Sequence, residues 1–80
     1  MSFNCMTTLY EVEMEMGGRD LNISANKHYE GYDDSTRYFV SVFDYDAADE
    51  IETIESSAET IYPDFLAVMN RYKKEGAIER

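Results

Sequence analysis

The chain has 80 residues, one cysteine, no tryptophan, 44% hydrophobic residues and a formal net charge of −10 at pH 7. That length fits one domain, near the lower size at which a chain buries enough apolar surface to fold without staples, and its seven Tyr and four Phe exclude the disordered class. The charge exceeds the roughly 2 to 8 units that merely keep a small domain soluble, so it disfavours nucleic acid and anionic membrane as partners and favours basic surfaces.

Residues 1 to 6 read as a short lead whose Phe3 and Cys5 pad the core. From Thr8 the pattern is two-fold, with Thr8, Tyr10, Val12, Met14 and Met16 on one side and Leu9, Glu11, Glu13 and Glu15 on the other, as in a strand with one buried and one wet face. Gly17 and Gly18 supply a turn, and Leu21, Ile23 and Ala25 alternate with Asn22, Ser24 and Asn26 to complete a hairpin. Lys27 to Thr36 is rich in turn formers and reads as a loop. Arg37 to Tyr45 carries aromatic and β-branched residues on both faces and predicts a central strand.

Beyond it, Asp46 predicts a helix cap, and Ala48, Ile51, Ile54, Ala58 and Ile61 recur at three- and four-residue spacings, an amphipathic helical stripe opposed by Glu52, Glu55 and Glu59. Pro63 breaks this helix and suits the opening turn of a second one, whose basic end holds Arg71, Lys73 and Lys74 and whose stop is Gly76. The expected class is α+β: a three-stranded antiparallel sheet followed by two helices packed on one face, β-β-β-α-α, in a single domain covering residues 1–80.

Charge is the one feature that stands out. Between Glu30 and Asp64 lie eleven acidic side chains against a single base, Arg37, equal to the whole chain's formal charge of −10. An ordinary wet face mixes both signs, whereas this one does not. The residues expected to meet a partner are the carboxylates Asp33, Asp34, Asp44, Asp46, Asp49, Glu50, Glu52, Glu55 and Glu59, with Tyr32 and Tyr45 as anchors that bury area yet keep a polar tip.

Other chemistries fit poorly. An EF-hand loop begun at Asp44 would put Ala48 at its fifth position and Asp49 where a glycine makes the sharp turn, so no metal or other cofactor is expected. His28 and Cys5 are the only candidates for an imidazole–thiol pair, and nothing in their setting suggests one. An aromatic nucleic-acid platform needs interleaved Lys or Arg, and here the interleaved residues are acidic. No enzymatic activity is expected. A lone cysteine and the absence of a secretory signal or apolar span place the expected compartment in the cytoplasm.

In size and charge layout, with YDDS at Tyr32 to Ser35 and DYDAADEIETIE at Asp44 to Glu55, the chain resembles the small phage-encoded inhibitors of host defence, anti-CRISPR proteins and other nucleic-acid mimics. That resemblance implies an inhibitor whose carboxylates occupy a basic nucleic-acid-binding groove of a partner in the host cytoplasm, each carboxylate accepting an arginine fork. The alternative is a small accessory or assembly protein that binds a partner through its sheet edge, its charge serving solubility. A third reading is adaptation to high internal salt.

Overall fold

The computed structural model describes residues Asn4–Arg80. They form β1 (Asn4–Met16), β2 (Arg19–Glu30), β3 (Ser35–Asp44), β4 (Asp49–Ser56), α1 (Ile61–Lys74) and β5 (Ile78–Glu79), with the strands side by side in the order β4-β3-β2-β1-β5. All pairings are antiparallel.

The expected three-stranded sheet with two helices is therefore corrected to a five-stranded sheet with one helix. The segment from Asp49 to Ser56, expected as helix, is a strand. Its Ile51, Thr53 and Ile54 are β-branched, and its four carboxylates include no cation that could support helix-spaced ion pairs. Placed beside β3, Ile54 lies opposite Val40 and packs against the core instead of contributing to a helical stripe.

The turn that makes this possible, residues 45–48, contains no glycine. The buried carboxylate of Asp44 organises it, its Oδ1 accepting the amide protons of Asp46 at 2.9 Å and Ala47 at 3.2 Å, while Ala48 takes a left-handed φ of 54°. Asp46 is thus a turn residue and caps no helix.

The Gly17–Gly18 turn is as expected, both glycines having positive φ. The loop expected from Lys27 to Thr36 shrinks to residues 31–34, because β2 and β3 stay paired from Leu21↔Asp44 to Glu30↔Ser35. Helix α1 begins at Ile61 with Pro63 in its first turn, where a missing amide proton costs nothing. Asp64 accepts from Ser56 and Thr60 hydroxyls at 2.5 and 3.1 Å, joining the end of β4 to the helix start. Gly76, at φ 108°, turns the chain into β5.

The core lies between sheet and helix. Met14, Leu21, Ile23, Ala25, Val40 and Val42 point to one side and are covered by Ile61, Phe65, Val68 and Tyr72 of α1 and by Ala77. Of the two lead residues expected to pad the core, Cys5 is exposed and Phe3 lies outside the described residues.

Candidate functional site: the helix-free face of the sheet

Side chains alternate along a strand, so the residues between those core positions point the other way. On β1 these are Glu11, Glu13 and Glu15; on β2, Asp20, Asn22, Ser24 and Asn26; on β3, Phe39, Ser41 and Phe43; on β4, Thr53 and Glu55, with Glu50 opposite Phe43. Among the described residues no helix packs over this side. Phe39 and Phe43 are half-buried and floor a shallow trough of about 360 Å³ that Met6, Asn26, Glu50 and Thr53 also line. An aromatic floor thus lies between two acidic margins, the Glu row of β1 and the Glu50–Glu55 side of β4.

Tyr45 closes one end of the trough. Its ring meets Phe43 edge-on at 5.4 Å, its backbone amide donates to the carbonyl of Asp20 at 2.9 Å, and its hydroxyl donates to Glu13 Oε1 at 3.1 Å. Asn22 donates to the same oxygen at 3.2 Å. Asp46 Oδ2 accepts the amide proton of Asp20 at 2.9 Å, which ties the β3–β4 turn to the β1–β2 end. The Tyr45 hydroxyl is held above its ordinary pKa, first by lost hydration, then by its bond to Glu13 and the nearby charges of Glu13, Glu11 and Asp20. The two arginines at this end are already engaged: Arg19 pairs with the buried Asp44, and Arg80 bridges Glu15 and Asp20.

The fold redistributes the acidic middle of the chain. Tyr32, Asp33 and Asp34 sit in the β2–β3 turn, whereas Asp44, Tyr45, Asp46, Asp49 and Glu50 cluster at the β3–β4 turn. The ten residues of β3 separate these groups, a distance of about 30 Å at ~3.4 Å per residue. At the far end Asp34 accepts from the Tyr29 hydroxyl and Asp33 from Ser35. Asp44 is fully buried and structural. Glu52 turns to the helix side, pairing with Arg71 and accepting from the Tyr72 hydroxyl at 2.9 Å. Glu59 is exposed in the turn before α1, and Asp49 is exposed at the start of β4.

Of the expected partner-facing residues, the fold brings Tyr45, Asp46, Glu50 and Glu55 to the trough or its rim. It adds Glu11, Glu13, Glu15 and Asp20, which the sequence marks only as the wet side of a hairpin.

The other chemistries can be placed as well. Residues Asp44 to Glu55 form a turn and a strand, not a calcium loop, and no group of three or more metal-ligating side chains occurs among the described residues. Cys5 pairs with Tyr29 and Met6 with His28, so the Cys5 and His28 side chains fall on opposite faces of the sheet and cannot form a dyad. No helix is long and apolar enough to cross a membrane. Comparison with protein-family models, curated proteins and solved structures returned no match.

Proposed function

We propose that this is a non-enzymatic binding protein whose helix-free sheet face docks on an arginine-rich groove of a nucleic-acid-handling partner, in the manner of the nucleic-acid-mimicking inhibitors it resembles, in the cytoplasm of the host cell. The supporting observation is the juxtaposition of Phe39, Phe43 and Tyr45 with carboxylates on either side. Glu11, Glu13 and Glu15 make a row of anions about 6.8 Å apart along one extended strand, comparable in kind to the row along a nucleic-acid backbone. A guanidinium entering the trough could stack on a phenyl face while a carboxylate accepts its paired N–H groups. Arg19 and Arg80 are taken up by Asp44, Glu15 and Asp20, and among the described residues Glu11, Glu13, Glu50 and Glu55 form no ion pair, which a basic groove would supply.

The test uses the tagged full chain to capture partners from a host lysate at stepped salt, followed by competition with duplex DNA or RNA. Capture should weaken as salt rises, nucleic acid should displace the protein, and the triple change Glu11→Gln, Glu50→Gln, Glu55→Gln should weaken affinity by about tenfold or more. Affinity unchanged by the triple change, or reduced equally by Asp33→Asn with Asp34→Asn at the far turn, would reject this face as the docking surface.

A further inference from the structure

Sheet edges offer unpaired amide and carbonyl groups and are ordinarily guarded by charge, bulges or cover. This sheet guards its two sides unequally. The outer strand β4 carries Asp49, Glu50, Glu52 and Glu55 and a bulge beside Ile51. On the other side β5 covers only the end of β1: Glu79 and Ile78 pair with Met14 and Glu15, and the Arg80 amide donates to the Glu13 carbonyl at 2.9 Å.

Among the described residues no strand pairs with the outer side of Asn4–Val12. Asn4 to Tyr10 contains no ionisable Asp, Glu, Lys, Arg or His in a chain of net charge −10, and it exposes Met6 at 64% and Tyr10 at 41%. The bulge of β1 lies between Thr8 and Tyr10, which leaves Asn4–Thr8 as a regular stretch.

From this we infer that β1 is a self-association edge, and that the occupant is a second copy of the same chain. Two antiparallel β1 strands related by a two-fold axis through Met6 would set Asn4 against Thr8, Cys5 against Thr7 and Met6 against itself, with no carboxylate opposite a carboxylate. A heterologous partner finds no charge here to recognise, whereas a strongly anionic copy needs an uncharged route of approach. The two-fold stands perpendicular to the sheet, so both helices lie on one side and the two acidic troughs share the other. Five residues a side bury less than a standard interface of about 1,200 to 2,000 Å², so the dimer is weak, and salt strengthens it by screening the repulsion between copies. That dependence is opposite in sign to the one expected for docking on a basic groove, so the two ideas fail separately.

Sedimentation equilibrium of the full chain up to about 0.5 mM, a range suited to weak association, should show a mass rising from 9.3 kDa towards twice that value, with tighter association in 0.5 M than in ~0.05 M sodium chloride. Met6→Asp, and separately Asn4→Asp, should weaken the dimer by about tenfold or more, with far-UV circular dichroism confirming that each variant is folded. Ile51→Asp on β4 should leave it unchanged. A monomer under all these conditions would overturn the inference and leave the edge to another protein's strand. A dimer insensitive to both β1 changes, or abolished by Ile51→Asp, would overturn it equally.

Discussion

Replacing Asp44 separates the two roles a carboxylate can play in this protein. The residue is 0% exposed, and its Oδ1 accepts two amide protons that shape the β3–β4 turn. Hydrogen bonds to a charged acceptor contribute about 1.5 to 3 kcal/mol each, but Asp46 and Ala47 lie at the surface, where water takes over part of that. Asp44→Ala should therefore cost about 2 to 3 kcal/mol, lowering Tm by roughly 10 to 20 °C in a domain of this size. Asp44→Asn keeps the acceptor oxygen and loses the charge. Its Arg19 partner is 56% exposed on the side chain, so the ion pair itself contributes at most about 1 kcal/mol; with the two amide bonds weakened to a neutral acceptor as well, the Asn variant should lose about 1 to 2 kcal/mol. Urea unfolding followed by circular dichroism measures both. If Asn proves as damaging as Ala, the charge and not the turn geometry is what matters at this position; a loss below about 0.5 kcal/mol for Ala would refute the structural role altogether.

Other outcomes follow from the same geometry. Glu52→Gln should cost about 1 kcal/mol by weakening the contacts to Arg71 and Tyr72, whereas Glu55→Gln, on the open face, should fall within about 0.5 kcal/mol of neutral; equal effects in thermal melts would contradict the assignment of the two residues to opposite faces. Ala48→Gly should raise stability by about 0.5 to 1 kcal/mol, the relief of a left-handed alanine outweighing the added chain entropy, and a lowered Tm would count against that backbone. Burial raises the hydroxyl pKa of Tyr45 and Tyr72, and the bond to Asp34 raises that of Tyr29. The folded state thus favours the neutral phenol, so this contribution to stability is complete below the unfolded value of 10.0 and is lost as pH rises through the higher folded values. Ultraviolet titration should show these tyrosines ionising later than in urea, and coincident curves would refute it.

The parts of the fold visible in the sequence are those fixed by local chemistry. Gly17–Gly18 between two alternating runs gives the first hairpin, Arg37 to Tyr45 has no credible reading but strand, and Pro63 and Gly76 bracket the helix. The fourth strand is hidden in the sequence because Ala48, Ile51, Ile54 and Ala58 satisfy a helical period as well as any amphipathic segment, and because Asp44 and Asp46, which suit a turn, suit a helix N-terminus equally well, while nothing marks Ala48 as left-handed. The turn formers between Lys27 and Thr36 suggest a longer loop than the structure has, because long-range pairing with β3 extends the strands through them.

The candidate site was legible only in part, for a related reason. Nearness in sequence suggested that Tyr32 to Asp34 and Asp44 to Glu55 share a surface, but an extended strand carries the chain farther per residue than any other regular structure and pulls them apart. Conversely, Glu11 to Glu15 stand well before Tyr45 in the chain, and sheet pairing puts them beside it.

The strand order β4-β3-β2-β1 joins each strand to its neighbour in the chain, so every one of those ladders closes a short loop. Assembly can proceed as a zipper, hairpin by hairpin, with little entropy lost at each step. The ladder between β1 and β5 differs, since Met14 meets Glu79 only after the helix has crossed the sheet. That late fastening makes β5 the natural place for fraying, and amide exchange there should run ahead of exchange in the central strands.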